Sequence, residues 1–158
     1  KSLQIAKTMG AKILAGGMGE KLLPKVYQLC QKYRIGLAFE NHPGMEAPEK
    51  IQKIIDDNKH WFGATVDTGW FATFGIDPEE AIQKLGKSVF HVHLKDIKEA
   101  GKHESCTLGD GIVNIPKVLS TLKKINYIGY ISIEHEPGDH DPMEDVKESL
   151  NRLRRWIK

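Results

Sequence analysis

The sequence predicts an α/β fold built on a parallel sheet, and three observations carry that prediction. Four apolar runs, Ile35–Phe39, Phe62–Val66, Ser88–Val92 and Tyr130–Ile133, are continuous rather than alternating. Such runs suit strands buried on both faces of a parallel sheet. Helical stretches separate most of them, and strand, loop and helix recur at a spacing of roughly 26 residues, the rhythm of βα units. A polar residue stands at or near the end of each run: Glu40, Asp67, His93 and Glu134. In a parallel sheet these four gather at the carboxyl rim, where α/β folds bind ligands.

In chain order, Lys1–Met9 reads as the end of a helix, and Gly10-Ala11 turns it into a short strand, Lys12–Ala15, broken by Gly16-Gly17. Glu20–Tyr33 places Leu22, Leu23, Val26, Leu29 and Cys30 at helical spacing. The strand ending at Glu40 leads into a turn-rich loop, Asn41-His42-Pro43-Gly44, and then a helix, Pro48–Asn58, with Ile51, Ile54 and Ile55 on one face. After the strand to Asp67, Thr68-Gly69-Trp70 opens a loop that closes at Asp77-Pro78, a helix N-cap followed by proline at the first helical position. That helix continues through Glu79–Leu85. The strand to His93 precedes a polar stretch, Lys95–Ser105, a tight loop at Leu108–Gly111 and a helix at Pro116–Lys124. The strand Tyr130–Ile133 and a helix over Met143–Ile157 complete the chain.

Five clear strands and a weak sixth near Ser105–Leu108 fall short of the eight that close a (β/α)8 TIM barrel, which typically takes ~250 residues. Residues 1–158 therefore read as a single partial TIM-barrel domain, about strands three to eight. The first units are expected to lie outside this numbering; the alternative is a neighbouring chain that completes the sheet. Open sheet edges are an aggregation liability, so a homo-oligomer covering them is a further expectation.

The chain has 158 residues, 40% of them apolar, enough for a sizeable core. Its formal charge of +2 is scattered, so composition calls for neither nucleic acid nor a membrane surface. The basic stretch Lys147–Lys158 reads as the solvated face of a terminal helix. Cys30 and Cys106 fit no zinc or redox spacing. No apolar stretch is long enough to span a bilayer, and no signal peptide is visible. A cytoplasmic setting is the expectation, although the chain opens at Lys1 and any targeting segment would already be gone.

Three carboxylates and one imidazole at a rim describe a site for a divalent metal, with Mn²⁺, Mg²⁺ or Co²⁺ preferred on donor hardness and Zn²⁺ admitted. Strand alternation assigns the neighbours. His91 shares the parity of His93 but lies deeper, a structural position. Lys95 lies nearer the rim, within reach of a substrate oxygen. His42 sits above Glu40 as a substrate contact or proton donor, and Glu136 stands in the same relation to Glu134. His135 points the other way, towards packing or solvent. Trp70, with Phe71 and Phe74, suggests an aromatic wall, suited to stacking on a ligand ring or to loop packing.

Five motifs occur together: Glu40-Asn41-His42-Pro43-Gly44, Val66-Asp67-Thr68-Gly69, His91-Val92-His93-Leu94-Lys95-Asp96, Gly109-Asp110-Gly111-Ile112-Val113 and Gly129-Tyr130-Ile131-Ser132-Ile133-Glu134. In order and spacing the chain resembles the sugar phosphate isomerase/epimerase superfamily, the xylose isomerase-like barrels that include ketose 3-epimerases, inosose dehydratases and endonuclease IV. The resemblance implies a metal held by Glu40, Asp67, His93 and Glu134, on strands four, five, six and eight. It implies an isomerase or epimerase of a keto-sugar or related polyol, with Glu40 and Glu134 as catalytic proton-transfer groups. A dehydratase or lyase of an inosose-like or keto-glycoside substrate is the alternative, and a catalytically incomplete barrel fragment the other. Trp70 departs from the pattern, since the ketose 3-epimerases and endonuclease IV commonly carry histidine there. That argues against a trinuclear zinc site and a DNA-repair role.

Overall fold

The computed structural model describes residues 1–17, 19–56, 58 and 60–158. Its strands are β1 (Ile13–Ala15), β2 (Gly36–Glu40), β3 (Phe62–Asp67), β4 (Val89–Leu94), β5 (Asp96–Ile97), β6 (Ser105–Cys106) and β7 (Ile131–Ile133). Its helices are α1 (Ser2–Thr8), α2 (Leu23–Tyr33), α3 (Pro48–Asp56), α4 (Thr68–Thr73), α5 (Pro78–Leu85), α6 (Ile115–Lys124) and α7 (Met143–Trp156). The main sheet is parallel and five-stranded, in the order β1-β2-β3-β4-β7. It forms one arc of an α/β barrel, as expected. The end of the helix expected to run to Asn58 passes position 57, outside the described residues.

Within each apolar run an alternation of size decides which side faces what. Leu37, Phe39, Phe62, Ala64, Val66, Val92 and Leu94 are buried in the hydrophobic core. Phe39 and Phe62 meet edge to face with ring centroids 5.2 Å apart. Burying each contributes roughly 1.5–3 kcal/mol, and the edge-to-face pair about 0.5–1.5 kcal/mol more. The opposite side carries smaller or polar residues, Gly36, Ala38 and Glu40 on β2 and Gly63, Thr65 and Asp67 on β3. There the register between β3 and β4 shifts: Ala64 pairs with Val89 but Thr65 with His91, leaving Phe90 unpaired. The bulge sends the Phe90 ring over Gly36 and Gly63, and a Cβ on Gly63 would fall inside that ring.

Three expectations need correction. The weak sixth strand near Ser105–Leu108 does not join the barrel sheet; β6 pairs antiparallel with β5 as a separate ribbon. β7 pairs directly with β4, Val92 with Ile131 and Leu94 with Ile133, so no strand intervenes. The four polar strand-ends thus belong to consecutive neighbours rather than to strands separated by a gap. The segment after Asp67, read as a loop, opens with α4, too short for a helical period to show in sequence. It is started by Asp67, whose Oδ1 accepts the Trp70 N–H at 2.8 Å.

Other local signals behave as read. Asp77 Oδ1 accepts the Glu79 N–H at 2.7 Å with Pro78 in the first turn of α5. Tyr130, placed in the last strand by its sequence, is instead 87% exposed just outside β7, and nearby Ile128 is 99% exposed. No helix among the described residues is long and apolar enough to cross a membrane.

Candidate metal centre

The ends of β2, β3, β4 and β7 bring Glu40, Asp67, His93 and Glu134 together. Asp67 and His93 are register partners, and the Glu134 N–H, just past β7, donates to the Leu94 carbonyl at 3.1 Å. One ligand atom from each of the four lies within 4.8 Å of all the others. His93 Nδ1 sits between two carboxylates, 2.9 Å from Glu40 Oε1 and 2.7 Å from Glu134 Oε2. Asp67 is buried; its Oδ1 is spent on the α4 cap, while its Oδ2 has no hydrogen-bond partner among the described residues.

The charges in this cluster perturb one another strongly. Burial pushes the Asp67 carboxyl up to about 7, against the opposing pull of the Trp70 N–H and Lys95. Burial also works against charge on His93, but its hydrogen bonds to Glu134 and Glu40 outweigh that and hold the imidazole up at about 10. The same His93 contact, followed by Lys95, draws Glu134 down to about 2 despite its burial. The arrangement gathers three carboxylates around one imidazole, and among the described residues Asp67 Oδ2 has no hydrogen-bond partner there.

That arrangement fits a divalent cation. The orphaned Asp67 Oδ2, two carboxylates turned to a shared centre and one imidazole supply hard donors.

Lys95 closes the other side. The residue is 0% exposed, and its Nζ donates to Glu134 Oε1 at 3.1 Å and to Glu136 Oε2. Burial disfavours its charge, but Glu136, Asp67 and Glu134 more than compensate and raise its pKa. Gly69 makes room for this stem, since a Cβ there would stand 2.6 Å from Lys95 Cγ. Above it, Trp70 stacks on Phe74 (5.6 Å, 18°) and on His103 (5.5 Å, 15°), and meets His42 edge-on at 4.8 Å. The Lys95 ammonium lies 5.6 Å from the Trp70 ring. Phe71, grouped with this wall from sequence, is instead fully buried in the core.

Glu40, Asp67, His93, Glu134, Lys95, Trp70, His42 and Glu136 therefore lie together at one rim, with Glu136 and His42 at its exposed edge. His91 lies below, its Nε2 3.2 Å from Ser132 Oγ and its ring edge-on to His93 at 4.9 Å. The residues that hold the rim together were not singled out. Asn41 bridges to the Asp67 backbone. Thr68 Oγ1 donates to the Lys95 carbonyl at 2.6 Å and accepts the Lys95 N–H at 2.9 Å. Ser105 Oγ accepts the Glu136 N–H at 2.6 Å. Asn41 and Thr68 each directly follow a quartet residue, a position that alternation turns towards the neighbouring strand. That was the available signal. His103 gave none, because the β5–β6 ribbon that carries it was not foreseen.

A cleft of about 290 Å³ adjoins the cluster, lined by Gly16, Gly17, Phe39, Glu40, His42 and Met45 among others. A larger cavity of about 860 Å³ opens at the opposite end, among Ile13, Val89, Phe90, Tyr127 and Tyr130, far from the quartet's carboxylates.

Residues 1–156 match the family described as the xylose isomerase-like TIM barrel. Over 157 residues the chain is 29% identical to an inosose dehydratase of Mesomycoplasma hyopneumoniae, covering 85% of this chain and 52% of that protein. The chain spans about half the length of the curated relatives it matches. A D-tagatose 3-epimerase-like protein superposes with a TM-score of 0.82 at 24% identity, covering 99% of this chain and 66% of that one. The 3-DHS dehydratase AsbF of Bacillus anthracis does so at 0.81 with 15% identity, covering 97% and 67%. These two likenesses bear on the fold alone. With the family match spanning nearly its whole length, the chain belongs to the xylose isomerase-like TIM-barrel family.

Proposed function

We propose that this chain carries the catalytic rim of a divalent-metal-dependent isomerase or epimerase acting on a keto-sugar or related polyol. The observation that supports it is the pairing of an orphaned Asp67 Oδ2 with a His93 nitrogen clamped between Glu40 and Glu134. Glu40, Asp67, His93 and Glu134 would hold the ion, Mn²⁺, Mg²⁺ or Co²⁺ by donor hardness with Zn²⁺ admitted. Bound there, the ion supplies Lewis-acid polarisation of a carbonyl and its neighbouring hydroxyl.

The chain's own groups do the rest. Glu40 and Glu134 approach the centre from β2 and from the end of β7, so one removes the proton next to the carbonyl and the other returns a proton to the opposite face. Lys95, held by Glu134 and Glu136, sets the orientation of Glu134 and offers positive charge to the developing oxyanion. His42, exposed beside the cleft and edge-on to Trp70, contacts the substrate. Residues 1–158 act as one partial barrel domain in a cytoplasmic setting, the open edges of β1 and β7 being covered by further units or a second copy.

The test is incubation with candidate ketoses in D₂O. Deuterium should appear at one carbon, and both Glu40→Gln and Glu134→Gln should abolish the exchange. Turnover without solvent exchange overturns the two-carboxylate scheme.

A second reading is a dehydratase or lyase of an inosose-like or keto-glycoside substrate, favoured by the likeness to inosose dehydratase. It shares the first proton abstraction and then expels a β-hydroxyl, with His42 or Lys95 as acid. A product lighter by one water identifies it. A barrel fragment too incomplete to catalyse would show neither product.

A further inference from the structure

A second set of metal-ligating side chains lies on the other side of the β7 end. His135 follows Glu134 directly, and alternation turns its ring away from the quartet towards α7. There its Nε2 lies 2.8 Å from Asp145 Oδ2. His140 Nε2 approaches the same oxygen at 2.7 Å. Ligand atoms of all three residues lie within 4.8 Å of one another.

Two imidazole nitrogens converge on a single carboxylate oxygen, and together they offer the donor set of a three-ligand cation site. Three further observations point the same way. The His135 side chain is 1% exposed, and among the described residues its Nδ1 has no partner and its polar contact points into the cluster. Asp139 Oδ1 engages His140 Nδ1 at 2.6 Å, which frees Nε2 to face Asp145. Metal-binding histidines are oriented by such a carboxylate on the far nitrogen. Asp145 is fixed in the first turn of α7, whose start is held by Asp141 Oδ1 accepting the Met143 N–H at 2.9 Å. His140 and Asp145 are partly exposed, which gives an ion a way in.

We propose that His135, His140 and Asp145 form a second divalent-cation site that takes Zn²⁺. Two imidazoles and a carboxylate make a three-ligand tetrahedral set with the fourth position open to water. This set is richer in nitrogen than the quartet of three carboxylates and one imidazole, so the two sites select differently among divalent ions. An ion at this position ties the segment that carries Glu136 to α7, and so steadies the carboxylate that holds Lys95. The inference stands whether or not the quartet binds metal.

The test is zinc stoichiometry after equilibrium dialysis of the full chain, read by elemental analysis. The wild type should hold about two equivalents. His140→Ala, at a half-exposed position that leaves the fold intact, and Asp145→Asn should each hold one. His93→Ala should keep the equivalent that His140→Ala loses. Asp139→Asn should weaken zinc binding about 10–100-fold. Co²⁺ bound to the chain should show tetrahedral d–d bands that His140→Ala removes. Were the quartet alone not to bind, the wild type would hold one equivalent, lost in His140→Ala and kept in His93→Ala. Stoichiometry unchanged in both His140→Ala and Asp145→Asn overturns the proposal.

Discussion

Asn41 and Asp67 exchange two hydrogen bonds across the rim. Asn41 Nδ2 donates to the Asp67 carbonyl at 2.9 Å, and the Asp67 N–H donates to Asn41 Oδ1 at 2.7 Å. Both residues are fully buried. The pair ties the end of β2 to the end of β3, and it fixes the backbone from which the orphaned carboxylate oxygen of Asp67 projects.

Asn41→Ala therefore removes two buried hydrogen bonds, at about 0.5–1.5 kcal/mol for each. Chemical denaturation should show a loss of about 1–3 kcal/mol. Because the pair orients a quartet residue, affinity for Mn²⁺ should also fall about 10–100-fold. Calorimetric titration measures this, and an unchanged affinity contradicts the orienting role of Asn41.

Gly69 and Lys95 form a second dependent pair. The Cβ of an alanine at position 69 would meet Lys95 Cγ at 2.6 Å, and the lysine stem has no free space to retreat into. Gly69→Ala should destabilise the chain by about 1–3 kcal/mol and move the ammonium off Glu134. Lys95→Ala removes the two nearest atoms, Cγ and Cδ, and leaves Cβ at 3.0 Å. In that background the added cost of Gly69→Ala should largely vanish, and a double-mutant cycle by urea denaturation reads the difference. Additive effects would show that Gly69 serves the backbone of α4 rather than Lys95.

The legible part of this molecule was the placement of its rim residues. Glu40, Asp67, His93 and Glu134 stand out because a charged or titratable residue ending an apolar run is unusual, and period-two alternation then places Lys95, His42 and Glu136. The strand count was less legible. Ser105–Cys106 is as short as a weak barrel strand, and its antiparallel partner is chosen by a single buried carboxylate. Asp96 accepts N–H groups from Ile97, Gly109, Gly111 and Val113 at 2.8–3.0 Å, folding the whole following loop around itself. A residue that organises backbone rather than side chains leaves no periodic trace. The His135–His140–Asp145 cluster was hidden for another reason, because its third member joins only through the placement of α7.

Metal addition and removal should be visible in stability. An ion that binds only the folded chain stabilises it by about 2.7 kcal/mol at a free concentration 100-fold above its Kd. Mn²⁺ should accordingly raise the melting temperature, and chelation by EDTA should reverse the shift. Asp67→Asn, which removes the charge on the unpartnered oxygen, should abolish the Mn²⁺ response while His140→Ala retains it. A Mn²⁺ shift that survives in Asp67→Asn would place the ion elsewhere.

Cys106 offers a pH-dependent reading of the loop that Asp96 organises. Burial first, and then the negative charges of Asp96 and Asp110, push its thiol up to about 12. The thiolate is the reactive form, so a raised value means less of it at any pH below that range. Cys106 is partly accessible whereas Cys30 is fully buried, so accessibility alone would leave Cys106 open to reagent. Alkylation by iodoacetamide, followed by mass spectrometry, should therefore stay slow at pH 8–9, where an ordinary thiol reacts, and accelerate only in strongly alkaline solution. Asp110→Asn removes one of the opposing charges and should shift the rate profile to lower pH. Rapid labelling of Cys106 at pH 8 in the folded chain would mean that burial and the charges of Asp96 and Asp110 do not suppress its thiolate.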